Sequence, residues 1–157
     1  MSNDMPGYQH DDGGRAAAGY KGTAGDCGVR AIAIATGKPY GEVYDALFDI
    51  ARNWKGNSRK AKAIRAKASP RGGVFPEVAN AFLESIGWKQ HMVRMRMNEI
   101  PHHYRNSVVL AVRKHFTALV DNAIRDTWDC RLTAGGDYGD GYIPPSPKFV
   151  TRIWAAA

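Results

Sequence analysis

The sequence predicts an α+β domain, with helices in its first half and an antiparallel sheet in its second. Three observations carry this. Between Asp26 and Ile86 the apolar residues recur at helical spacing; after Gly87 the period shortens towards two; and the two patterns occupy separate halves instead of alternating as in βαβ units. The length of 157 residues fits one domain with a core of its own.

The first helix follows "GTAGD", where Asp26 reads as an N-cap and Gly37 as the residue beyond the C-terminus. Val29, Ile32, Ala33 and Ala35 leave it little polar face, which predicts a central, buried helix. A second helix starts near Pro39 and places Val43, Leu47 and Ile50 on one stripe. A third runs from Pro76 to Gly87, with Val78, Phe82 and Ile86 aligned. Strands are expected in "WKQHMVRMRM", in "SVVLAVRKHFTALV", where His115 opens the apolar part, in "AIRDTWD" and in "KFVTRIW". "TAGGDYGDGYIPPSP" between them reads as a Gly/Pro loop. Residues 1–20, rich in Gly, Asp and Ala, read as a flexible N-terminal arm, leaving 21–157 as the single domain.

Composition removes several function classes. No apolar run is long enough to span a membrane. The N-terminus lacks the basic-then-apolar order of a secretory signal, so a cytoplasmic location is expected. Cys27 and Cys130 are too few for a disulfide framework and read as free thiols. Without a Cys-x-x-Cys or His-x-x-x-His pair, no metal and no cofactor are expected. The net charge of +7 has its main source in Arg52–Gly73, with eight Lys/Arg and no acid. A solvated basic loop or helix is the simpler reading; contact with an anionic partner is the sharper one. The stretch has no nucleic-acid motif and one aromatic residue, Trp54, which argues against a nucleic-acid partner.

Cys27 falls in the first turn of the first helix, where unpaired N–H groups and the positive end of the dipole favour a thiolate. Its own N–H can help bind an oxyanion, and Gly25 and Gly28 keep the surroundings open for a substrate backbone. For a lone cysteine, packing at a helix start is the simpler reading. A thiolate nucleophile also needs a proton carrier. Of five histidines, His10 lies in the arm, His91 on a surface strand, and His102–His103 in a polar connection. His115 alone opens an apolar strand. If Asp121–Asn122 is a two-residue turn, Thr117 pairs with Asp126, which puts His115 and Asp126 on one face as diagonal neighbours. A three-residue turn would set Asp129 opposite His115 instead. The shorter turn matches sheet twist better. Arg30, one turn after Cys27, is expected to pair with an acid. Trp128 either packs beside the hairpin or walls the site, and Cys130 reads as an inert thiol or one near the sheet's rim.

"GDCGVRAIAIATGKPYGEVYDAL" and "HFTALVDNAIRDTWD" together resemble the nucleophile helix and the His–Asp hairpin of the papain-like cysteine peptidase superfamily, in its small bacterial and phage-type members. The resemblance spans about Lys21 to Arg131 in element order. It implies a central nucleophile helix packed on the sheet, with Cys27 as nucleophile, His115 as acid/base and Asp126 as orienting acid. It further implies a thiol hydrolase acting on a peptide, isopeptide or related amide bond of a peptide or protein substrate. Many relatives carry a Gln shortly before the Cys; "YKGTAGD" has neither Gln nor Asn, which leaves Lys21, Thr23 or the backbone to take its place. The same resemblance admits a second role: a catalytically weak scaffold, phage-encoded or virion-associated, that meets a protein or anionic partner through Arg52–Gly73.

Overall fold

The computed structural model describes residues 4–22, 25–137 and 139–157. Among them the chain is α+β, with four α-helices and a six-stranded mixed sheet. The elements in chain order are β1 (Gly7–His10), α1 (Cys27–Thr36), α2 (Tyr40–Arg52), α3 (Arg59–Ala66), α4 (Pro76–Ser85), β2 (Trp88–Arg96), β3 (Ser107–Val112), β4 (His115–Val120), β5 (Ala123–Asp126), β6 (Gly136–Asp137), β7 (Tyr142–Ile143) and β8 (Phe149–Ala156). The sheet order is β1-β5-β4-β3-β8-β2; β6 and β7 form a separate two-stranded ribbon.

Helix ends follow local chemistry, with one exception. Gly37 adopts φ +73° and its N–H closes α1 on Ala33 O at 3.0 Å, a conformation glycine adopts without a Cβ penalty. Pro39 precedes α2 and Pro76 opens α4. Asp26 sits at the N-cap position of α1 but makes no capping hydrogen bond. Its buried carboxylate is drawn instead to Arg30, to Arg15 at 3.0 Å and to the Tyr40 hydroxyl. Two cations and a phenol outcompete one backbone N–H for a desolvated carboxylate.

The sheet departs from the expected all-antiparallel arrangement. Its other neighbours pair antiparallel, but β1 adds to the edge of β5 in parallel, Gly7 opposite Ala123 and His10 opposite Asp126. The segment expected to be a free arm is thus tied down from Gly7 onward. Gly7 N–H donates to Asn122 O and Asp11 N–H to Asp126 O, each at 2.9 Å. These bonds use backbone only, so they need little apolar side chain. Asp12 folds the next turn by accepting from Gly14 and Ala16 N–H.

Both faces of the sheet are covered, which explains why "SVVLAV" and "FTALV" are near-continuous apolar runs. Val109, Ala111, Phe116, Ala118 and Trp154 pack against the helices. Val108, Leu110, Val112, Leu119, Ile124 and Ile153 pack on the opposite face beneath Met97, Ile100 and Cys130. Trp154 is fully buried and donates its Nε1–H to Asn80 on α4 at 3.1 Å. α1 lies across β3, β4 and β5. Among the described residues no helix is long and apolar enough to cross a membrane.

Two tight turns frame the site. Val112 pairs with His115, so Arg113–Lys114 is a two-residue turn, with Lys114 at φ +54°. Val120 pairs with Ala123, so Asp121–Asn122 is another, at φ +49° and +62°, the left-handed pair that a twisted hairpin favours. The buried Arg105 secures the second turn: its guanidinium donates to Asn122 Oδ1 at 2.8 Å, Ile100 O at 2.8 Å and Asp4 O at 2.9 Å.

Candidate active site

α1, β4 and β5 bring one functional side chain each to the same place. Cys27 is the first residue of α1. The first backbone bond of the helix runs from Arg30 N–H to Asp26 O at 3.1 Å. The N–H groups of Cys27, Gly28 and Val29 therefore lie in the turn that has no intrahelical acceptors. His115 is the first residue of β4, delivered directly by the Arg113–Lys114 turn, and Asp126 is the last residue of β5.

Asp126 is buried, and its Oδ2 accepts from His115 Nε2 at 2.7 Å. Its Oδ1 accepts from Thr127 N–H at 2.7 Å and faces the Arg30 guanidinium at 3.7 Å. Burial alone would push this carboxyl up; the hydrogen bond and positive charge of His115, with the Thr127 N–H, hold it below its usual range. With Nε2 engaged by Asp126, the other ring nitrogen of His115 is left for the thiol. Burial disfavours an imidazolium, but the bonds to Asp126, Cys130 and Cys27 outweigh it and push His115 up to about 11. The Cys27 thiol shows the complementary shift. Burial raises it, while the His115 hydrogen bond, the Phe116 backbone and the charges of His115 and Arg30 bring it below its ordinary value. The two shifts act in the same sense, each favouring a thiolate beside an imidazolium.

Arg30 is the hub of this arrangement. It bridges Asp26, four residues back on the same helix, and Asp126 on the sheet. The sequence marks Arg30 as a residue seeking an acid; it meets two. Cys130 occupies a place that the sequence did not suggest. It is wholly buried, not at a rim, and its Sγ–H donates to Asp126 Oδ2 at 3.7 Å. His115, Asp126 and Cys130 together resemble a ligand cluster, their donor atoms lying within 4.8 Å of one another. Tetrahedral bonds of about 2.0–2.3 Å separate ligand atoms by roughly 3.3–3.7 Å. The 2.7 Å between His115 Nε2 and Asp126 Oδ2 is hydrogen-bond contact, so the trio is linked by protons.

Cys27 and His115 open onto a cleft of about 650 Å³, while Asp126 is buried and reaches it only through His115. Trp128 walls it, its ring centroid 4.9 Å from that of His115, with Lys148 Nζ 4.6 Å from the indole centroid. Gly25, Gly72 and Gly73 line it as well. The end of the basic stretch thus forms part of the cleft, while Arg59, Lys60 and Lys62 sit exposed on α3. The other residues proposed to aid an oxyanion or substrate are placed differently. Gly28 is buried, and a Cβ there would meet Val74 at 2.9 Å; this glycine permits close packing and does not open the site. Lys21 is exposed and does not line the cleft; its carbonyl is held by Arg71 at 2.7 Å and Arg15 at 3.1 Å. Thr23 lies outside the described residues.

No family model, no curated protein and no solved structure matches the chain. What the fold and site define is an α+β protein of four helices and a six-stranded mixed sheet, with a cysteine and a histidine lining one cleft and a buried aspartate bonded to the histidine.

Proposed function

We propose that the protein is a thiol hydrolase of papain-like architecture, cleaving a peptide, isopeptide or related amide bond. The observation that carries this reading is an imidazole bonded to a buried carboxylate at 2.7 Å and lining the same cleft as a helix-N-terminal thiol. Cys27 Sγ attacks the carbonyl carbon and forms the C–S bond. The carbonyl oxygen takes up the negative charge, with the Cys27 N–H as its backbone donor. His115 passes its proton to the leaving nitrogen as the C–N bond breaks, giving a thioester and a free amine. His115, now neutral, takes a proton from water; the hydroxide attacks the thioester, and the carboxylic product and the thiolate–imidazolium pair are restored. Asp126 keeps the ring oriented and stabilises its charge throughout.

The test is alkylation of the native protein by iodoacetamide at pH 6.5, with Cys27 followed by peptide mass mapping. Cys130 is no fair comparator because it is wholly buried; free cysteine and the His115→Ala variant are. Free cysteine is about 1% thiolate at that pH. Cys27 is expected to react about tenfold faster than free cysteine, and His115→Ala to remove the advantage. A rate at or below that of free cysteine overturns the reading. It would leave the scaffold role, in which Cys27→Ala keeps biological function and charge reversal at Lys60 and Lys62 abolishes it.

A further inference from the structure

The cleft has a charge imbalance that the hydrolytic chemistry does not require. Its ionisable lining, Cys27 aside, is entirely basic: Arg30, Arg113, Lys114, His115 and Arg152, with no Asp or Glu. The chain as a whole has 22 Lys/Arg against 15 Asp/Glu, so general basicity does not account for a wall without acids. Arg30 is committed to Asp26 and Asp126. Arg113, Lys114 and Arg152 make no salt bridge among the described residues. Arg113 and Lys114 form the turn that leads directly into His115. Arg152 lies on β8 opposite Ala111, and its Nε is shielded from water with no hydrogen-bond partner. Lys148, over Trp128, adds a further cation beside the cleft. At Gly72 a Cβ would meet open space, so that wall offers backbone and no competing side chain.

Like charges converging on a partly enclosed cleft repel one another, and a bound carboxylate relieves that repulsion while steering encounter. We propose that the cleft selects substrates carrying an acidic side chain, Asp or Glu, next to the scissile amide, with Arg113, Lys114 and Arg152 as its recognition residues. This rests on the thiol-hydrolase reading.

The experiment uses vinyl sulfone peptides with Asp, Ala or Lys on either flank of the reactive carbon. Second-order rates of Cys27 modification are measured at low and high salt. The Asp probe is expected to react about tenfold faster than the Ala probe, with the Lys probe slowest and the spread shrinking as salt rises. In the Arg113→Glu/Arg152→Glu double variant the Asp-to-Ala ratio should fall to near one. Equal rates for the three probes, with Cys27 still rapidly alkylated by neutral iodoacetamide, overturn the acidic preference and leave the hydrolase reading intact. Slow alkylation by iodoacetamide overturns both. A preference that survives in the double variant removes these residues from the recognition role.

Discussion

Cys27 and Cys130 touch opposite sides of the same His115–Asp126 pair. Cys27 starts a helix, is half-buried in an open cleft and is drawn below its ordinary thiol value by His115. Cys130 has no solvent exposure, packs in the core on the far face of the sheet and donates to the carboxylate. Both thiols act on the imidazole, so the difference teaches that access to the cleft assigns each thiol its role. In the cleft, a thiol beside the imidazole can give up its proton, stay paired with a positive charge and meet a substrate. In the core, a thiol that donates to the carboxylate meets no substrate.

The substitution that separates the two most strongly is Cys27→Ser. Hydrolysis of an activated ester or peptide should fall about a thousandfold or more, with iodoacetamide incorporation lost under native conditions. An active Cys27→Ser protein would break the contrast outright. Asp126→Asn comes next. It strips charge from a site that holds the imidazolium and the Arg30 guanidinium, and should cost about 3–5 kcal/mol in a urea titration as well as most of the activity. The pH dependence sharpens the Cys27 side. The alkylation rate should rise through a pKa below the ordinary thiol value and show no loss until His115 deprotonates near pH 11. For stability the signs are opposite on the two sides. The raised His115 contributes fully below its ordinary 6.5, and that contribution fades as pH climbs towards about 11. The lowered Asp126 contributes above its ordinary 3.8 and is lost as pH falls further. Thermal melts from pH 2 to 11 should trace both limbs, with His115→Ala flattening the alkaline one.

Cys130→Ala tests the other thiol. It should cost about 1–2 kcal/mol for the lost sulfur packing and leave Cys27 alkylation within about threefold of the parent. A collapse of Cys27 reactivity in this variant would make the two thiols a single unit. The smallest effect belongs to Lys60→Glu with Lys62→Glu on α3. Both residues are exposed, and urea midpoints should move by no more than about 0.5 kcal/mol.

Where local chemistry decides the backbone, the sequence was readable. Asp121–Asn122 can enter left-handed conformations, so the hairpin register followed, and the face shared by His115 and Asp126 followed from the register. Gly37 and Pro76 likewise marked helix limits that the chain observes. β1 was not legible because its pairing is mostly backbone, and in "GYQH" Tyr8, whose hydroxyl donates to Asp126 O at 3.1 Å, is the only large apolar side chain. α3 was left open between helix and loop: it buries just Ala61 and Ile64, and its real signal was Ser58, which accepts from Ala61 N–H at 3.0 Å. Arg113–Lys114 carries no turn residue, so a hairpin there shows only once β3 and β4 are paired. Asp26 misled for the reverse reason. It has the right residue type for a cap, but Arg30 one turn on and the more distant Arg15 and Tyr40 claim it, and no capping rule counts those. The burial of Cys130 against Asp126 is of the same kind, since it depends on how the chain returns to the sheet after β5.

The position of β8 bears on how the protein is made. This strand follows all the others in the chain yet lies inside the sheet, between β3 and the edge strand β2. During synthesis the helices and the His115–Asp126 hairpin emerge first, while β3 waits with an unpaired edge and Trp154 is not yet available to fill the space against α4. A ribosome must therefore finish residues 149–156 before the sheet can close, and a chain stopped at residue 148 would expose that edge to other chains. A nascent chain held at that point should be degraded or aggregate.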